Sequence, residues 1–342
     1  MAFLFSVFQK SIDHNASDIH LSVGQKPCVR VHGRLILLED ERVVSREDMD
    51  ALIAEIFTSD QRGAFAKKLE SHRSYEFGGA RFRVNAFFEN GQPAIVARLI
   101  QSAIPTPGAI GLSNTVLELA MGDRGLILVT GATGSGKSTT LASIVNWINQ
   151  RSSKNIITLE DPVEYIFESE KSLIKQREVG RDIPSFSESL KHIVRHDPDV
   201  IMVGEMRDAE TMRAAITLAE TGHLVLSTLH TASAAQTINR IIDSFPAEQQ
   251  NQIRSQLALS LRGIISQKLV PSADGTRVAV REILVNTPAI AYLIRRHKLE
   301  QIESVMQTGA SDGMQPLAIA LQTLYRDGVI SHATFRDHTA IG

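Results

Sequence analysis

The sequence predicts an α/β protein of two domains, the second built on a largely parallel sheet. Three observations predict it. Over 125–230 the short apolar runs GLILVTG, NIITLED, DVIMVGE and HLVLSTLH alternate with segments of helical spacing, which implies a parallel sheet covered by helices on both faces. A glycine-rich stretch, 131–138 (GATGSGKS), lies between the first of those strands and a helix. Ahead of it, SAIPTPGAIGL (102–112) concentrates prolines and glycines as a linker does. The expected division is an N-terminal domain over 1–101, an interdomain linker over 102–113, and a C-terminal domain over 114–342 with a helical end.

Each element follows in order. Phe3, Leu4, Val7, Phe8 and Ile12 fit one face of a helix, and no basic segment precedes them, so a docked amphipathic helix is expected rather than a leader. The stretches 19–24 and 27–38 alternate as strands, the second broken by a hairpin turn at His32-Gly33. Helical periodicity over 47–65 is followed by YEFGGARFRVNAFFE and PAIVARLI, each a strand candidate. Past the four runs of the C-terminal domain, the chain beyond Ala247 is expected to be mostly helical, with one further strand, RVAVREILV over 277–285.

Composition narrows the function. With 342 residues, 43% hydrophobic and 22% charged, the chain has ordinary globular character. A formal net charge of −2 leaves no global field to draw it to nucleic acid or anionic lipid. The single cysteine, Cys28, can build neither an internal disulfide nor a cysteine zinc site, which suits a cytoplasmic setting. No apolar run approaches the ~20 residues that span a bilayer, so membrane association is expected only through partners.

The glycine-rich stretch matches G-x-x-x-x-G-K-[ST] in full, with strand before and helix after. Gly131, Gly134 and Gly136 allow backbone angles that turn successive N–H groups inward around a phosphate, with Thr133 and Ser135 between them. The helix N-terminus adds its partial positive charge. Lys137 would reach the terminal phosphates and Ser138 would hold Mg²⁺. Such a site needs an acidic residue near the metal and a group that orients water. Glu205 closes DVIMVGE, and Glu160, Asp161 and Glu164 lie just past NIITLE. Either Glu164 or Glu205 could polarise water, and Glu160 and Asp161 could equally serve a cap or loop. Arg81 and Arg83 share a face at period two, a paired guanidinium edge suited to a phosphate, and Arg98 lies on the next strand candidate.

His223 and His230 bracket one strand and would stand roughly 20 Å apart at ~3.3 Å per residue, too far to share an ion. His230 falls at the strand's carboxyl end, where Gly131 and Glu205 also emerge. His223 begins the strand at the opposite edge, where a cap or packing role is expected.

Together GATGSGKSTTLA, ITLEDPVEY, QREVG, DPDVIMVGEMRDAETM and AETGHLVLSTLHT resemble the secretion ATPase superfamily, most closely the type IV pilus retraction ATPases that power twitching motility. ASDIHLS near the start and SDGMQPLAIAL near the end extend the resemblance over nearly the whole chain. It implies a homo-hexamer of subunits that each pair a PAS-like N-terminal domain with a RecA-like C-terminal domain, binding ATP and Mg²⁺. By position it assigns Lys137, Ser138 and Thr139 to the Walker A motif, and Glu160, Asp161 and Glu164 to an Asp box with Glu164 as general base. Glu205 matches the Walker B glutamate, His223 and His230 the His box, and Arg81, Arg83 and Arg98 fall in the arginine-finger segment. The implied partners are an inner-membrane pilus platform protein and a paralogous retraction ATPase, with no nucleic acid. One segment departs: where retraction ATPases carry AIRNLIRE, this chain has AIAYLIRR over 289–296. That leaves open a principal motor, an accessory paralogue or a specialised pilus system. An extension or secretion ATPase would bring a four-cysteine zinc element, and a RecA-like nucleic-acid motor a basic channel; the sequence shows neither.

Overall fold

Alternating polarity in the N-terminal region builds a sheet with one dry face. The computed structural model describes residues 2–14, 16–31, 33–100 and 103–339. The chain forms two units, Met1–Ala103 with Pro162–Ile166, and Ile104–Asp161 with Phe167–Gly342. In the first, α1 (Ala2–Asp13) leads into β1 (Asp18–Ser22), β2 (Cys28–Val31) and β3 (Arg34–Leu37). Then follow α2 (Arg46–Ile56), α3 (Ser59–Lys68), β4 (Glu70–Phe77), β5 (Ala80–Glu89) and β6 (Gln92–Ile100). The strands pair antiparallel in the order β3-β2-β1-β6-β5-β4. Phe82, Val84 and Ala86 alternate into the core, leaving Arg81 and Arg83 on the other face. The apolar stripe of α1 packs on that core, with the Phe8 ring edge-on to Phe82 at 4.8 Å between centroids.

Two expectations for this unit need correction. YEFGGARFRVNAFFE is not one strand but the hairpin β4–β5, because Gly78 and Gly79 both adopt positive φ, 60° and 77°, as a tight two-residue turn requires. The helical stretch 47–65 is two helices. Phe57 turns extended at the end of α2, and Thr58 with Gln61 forms the capping box that starts α3. Of the expected His32-Gly33 turn, Gly33 has φ 81° between the paired Val31 and Arg34, and His32 lies outside the described residues.

In the second unit come α4 (Asn114–Ala120), β7 (Gly125–Thr130), α5 (Lys137–Arg151), β8 (Asn155–Glu160), β9 (Leu173–Glu178), α6 (Phe186–His192), β10 (Val200–Val203), α7 (Ala209–Glu220) and β11 (Leu224–Leu229). After them run α8 (Ala234–Asp243), α9 (Ala247–Ser260), β12 (Leu261–Pro271), β13 (Arg277–Val285), α10 (Pro288–Arg296), α11 (Ile302–Thr308), α12 (Leu317–Arg326) and α13 (His332–Thr339). The sheet order is β13-β12-β7-β11-β10-β8-β9, parallel except for β13. β7, β10 and β11 are buried along their whole length, as strands covered on both faces must be.

Beyond Ala247 the chain carries one strand more than expected, β12, besides its helices and β13. α9 passes directly into β12 with no glycine or proline between them to mark the change. Gly263 makes the strand possible: a Cβ there would lie 2.7 Å from the Leu119 side chain and 2.8 Å from the Leu284 carbonyl oxygen, and β12 bulges beside it. β9, an edge strand of mixed polarity, was likewise not evident from periodicity. In the stretch read as a linker, Ser102 lies outside the described residues. From Ile104 the chain belongs to the second unit, closing on itself through Leu112 N–H donating to the Pro107 carbonyl at 2.9 Å.

Candidate active site

The four apolar residues Leu126–Val129, fully buried, fix β7 between β11 and β12, so the chain leaves the sheet at a defined point. There Gly131, Gly134 and Gly136 take φ of 144°, 78° and 85°. At Gly131 only glycine fits, since a Cβ would lie 2.2 Å from the Gln267 carbonyl oxygen and 2.6 Å from Ser135 Oγ. Gly136 caps α5, whose N-terminus opens on the loop. Lys137 is buried, and its Nζ donates to the carbonyls of Gly131 (2.9 Å) and Ala132 (3.0 Å). Ser135 Oγ is buried without a hydrogen-bond partner. Thr133, Gly134 and Ser138 are exposed, and Thr139 is half-buried. A wrapped backbone, an ordered ammonium, a helix N-terminus and an orphaned hydroxyl together fit a phosphate. Among the described residues no group of three or more His, Cys, Asp or Glu could hold a metal. A Mg²⁺ here would therefore take the Ser138 hydroxyl and fill its shell from phosphate oxygens and water.

The parallel strands beside β7 deliver their carboxyl ends to the same edge. Past β10, Gly204 N–H donates to the Leu159 carbonyl (2.8 Å) and Met206 N–H to that of Thr228 (3.1 Å), so the turn carrying Glu205 is stitched to both neighbouring strands. Glu205 accepts from Arg207 Nη2 at 2.5 Å, and its other oxygen lies 3.4 Å from His230 Nε2. That ion pair, opposed in part by burial and aided by the nearby Asp161 carboxylate, holds the Arg207 guanidinium above its ordinary pKa. Glu160 is buried, accepting from Thr158 Oγ1 (2.6 Å) and Gln176 Nε2 (3.0 Å), which suits an anchoring acid better than one that polarises water. Asp161 is half-buried, and Glu164 is exposed within Pro162–Ile166 of the first unit. His223 sits at the opposite end of β11, with Nδ1 3.1 Å from the Leu218 carbonyl oxygen at the end of α7.

A family model described as Type II/IV secretion system protein matches residues 2–315. The chain belongs to that family. It is 47% identical over 334 residues to the Type IV pilus retractation ATPase PilT of Pseudomonas aeruginosa, spanning 97% of this chain and 96% of the relative. A Twitching motility protein of Neisseria gonorrhoeae is 46% identical over 309 residues, 89% of this chain and 82% of the relative. A solved structure of the pilus retraction motor PilT with bound ADP superposes with a TM-score of 0.91 at 43% identity, covering 97% and 96% of the two chains.

In this secretion-system protein the three arginines of the first unit are not equivalent. Arg98 Nε donates to Asp18 Oδ1 at 2.9 Å. Burial pushes the Asp18 carboxyl up, but hydrogen bonds from Arg98 and Ser17 outweigh it and leave it below its usual range. Arg81 is largely covered and lies 3.9 Å from Glu76, whereas Arg83, opposite Arg98 in the β5–β6 register, is exposed. Three residues at the phosphate-loop edge were missed by the sequence reading. Arg207, two positions past Glu205, was legible as the one cation inside an acidic turn. Gln267 and Arg281 were not, because Gln267 lies on β12, which carries no strand signal at its start, and Arg281 is one of three charged residues on β13 with nothing in its spacing to set it apart.

Proposed function

We propose that this chain is an ATPase motor that drives type IV pilus retraction for twitching motility. The observation that carries the reading is the loop 131–138, with Lys137 held against its carbonyls, in a chain 47% identical to a retraction ATPase. On this reading the first unit is PAS-like and the second RecA-like, with 1–101 and 114–342 as the working domains. Subunits assemble as a homo-hexamer at the cytoplasmic side of the inner membrane, engaging a pilus platform protein and a paralogous ATPase rather than nucleic acid. Residues 131–139 hold the phosphates of ATP, with Lys137 neutralising charge and Ser138, together with Glu205 through water, holding Mg²⁺. The cation, when bound, supplies positive charge to the phosphoryl oxygens. Glu164 takes the proton of the attacking water, Glu205 would hold the cation through water, and Arg207 aims the Glu205 side chain. His230 faces the same edge to sense the terminal phosphate, His223 braces the far end of β11, and Glu160 and Asp161 shape the turn. Arg83 is exposed and is the finger on this reading, Arg98 being exposed but bonded to Asp18, with Arg81 and Arg98 supporting it.

An accessory motor is the second reading, and α10 favours it. That helix buries Ile290, Leu293 and Ile294 and exposes Tyr292 and Arg296, where retraction ATPases carry Asn and Glu. The deciding experiment is complementation. Retraction-defective cells given this chain should regain twitching and lose excess pili, and Lys137→Ala should do neither. Bald cells in a deletion strain would indicate an extension motor instead, and an undiminished pilus phenotype beside an intact second motor would favour the accessory role.

A further inference from the structure

Arg281 is a guanidinium 5% exposed, and among the described residues its hydrogen-bond acceptors are neutral. Its Nη1 donates to the carbonyls of Ile110 (2.7 Å) and Gly111 (3.0 Å), in the stretch that opens the second unit. Its Nε donates to Gln267 Oε1 at 3.3 Å. The same amide oxygen accepts from Thr140 Oγ1 in the first turn of α5 (2.9 Å), while Gln267 Nε2 donates to the Ser135 carbonyl inside the phosphate loop (2.7 Å). One buried amide thus ties three things together: the loop, the helix behind it and the guanidinium that grips 110–111. Burial pushes Arg281 down to about 10, which still leaves it charged at neutral pH. Keeping a charge in so dry a place carries a desolvation cost that an apolar side chain would not. A role in packing alone does not account for it, whereas holding backbone carbonyls of a loop does.

We propose that Arg281 and Gln267 are positioning residues that link the placement of the segment 106–112 to the phosphate loop, so that nucleotide binding tightens that segment and loosening the segment weakens nucleotide binding. The inference rests on the nucleotide reading of the loop. Linkage makes the two directions equal in free energy.

The test uses the full chain with ADP as the probe. ADP binding is measured by calorimetry, and hydrogen exchange is followed at the amides of Ile110, Gly111 and Leu112, which close the segment on Thr106, Gly108 and Pro107. In the wild type, saturating ADP should slow exchange there several-fold. Arg281→Lys, which keeps the charge but cannot fork to both partners, should bind ADP about tenfold more weakly and lose that protection at saturation. Gln267→Met should do the same, raising KM for ATP more than it lowers kcat. The double variant should bind ADP no worse than either single one, and additive losses would overturn the single link between the two side chains. ADP that binds the wild type without changing exchange at 110–112 overturns the proposal while leaving the nucleotide reading intact. Failure of ADP to bind the wild type overturns both.

Discussion

Glu205 and His230 face each other across 3.4 Å at one edge of the sheet, while His223 is held by the Leu218 carbonyl at the other. The division predicts unequal consequences. His230→Ala should lower ATP turnover by about a hundredfold, the size of effect expected for one polar group at a reacting phosphate. His223→Ala should cost about 1 kcal/mol of stability and leave turnover within a few-fold; equal losses in a steady-state assay would refute the assignment. Gly131→Ala is a sharper change, since the added carbon meets the Gln267 carbonyl oxygen at 2.2 Å and the backbone must move. Titration calorimetry should find ADP affinity reduced at least tenfold with the fold retained by circular dichroism. These residues were legible in the sequence because their chemistry fixes their spacing: a phosphate loop must place glycines, lysine and serine at set intervals. Gln267 and Arg281 were not, because a side chain that braces a loop from a distant strand answers to no local pattern.

At the scale of elements, α2 shows how a local signal holds a unit together. Ser45 and Asp48 form a reciprocal capping box, and Arg42 donates two hydrogen bonds of 2.6 Å to the Asp48 carboxylate. The Arg42 guanidinium holds that carboxyl well below its usual 3.8. A carboxyl depressed in the folded state contributes stability above its unfolded pKa and loses it as pH falls through the folded one. Asp48→Asn should therefore destabilise the first unit near neutrality by about 1 kcal/mol, seen as a lower denaturation midpoint. The gap from wild type should narrow once pH drops below about 4; a gap that is independent of pH would show that charge plays no part. Other elements were read from the same kind of signal. α1 and the buried strands β7, β10 and β11 announce themselves through apolar spacing. β12 does not: its Leu261 follows α9 without a breaker, and the strand owes its place to Gly263 and to partners far along the chain.

Among the described residues each unit carries its own main apolar core, the second unit adding a smaller cluster of Val270, Val280, Ala320, Leu321 and Ile330, and the chain has a single tryptophan, Trp147, on α5. Emission from Trp147 therefore follows the second unit as it unfolds. ADP at about a hundred times its Kd should stabilise that unit by about 2.7 kcal/mol, seen as a higher midpoint by fluorescence. Lys137→Ala should abolish the rise, and a rise that survives it would place the nucleotide elsewhere. The order of strands has a temporal consequence. β7 and its loop are synthesised early, yet the strands that flank β7 are β11 and β12, and Thr130 finds its partner Ser266 only 136 residues later. At about 5–20 residues per second, roughly seven to thirty seconds separate the two on the ribosome. Until β11 emerges an apolar strand waits with neither neighbour, and until β12 emerges with only one, an opening for a chaperone, and no truncation ending before Gln267 can make the contacts that close on the loop 131–138.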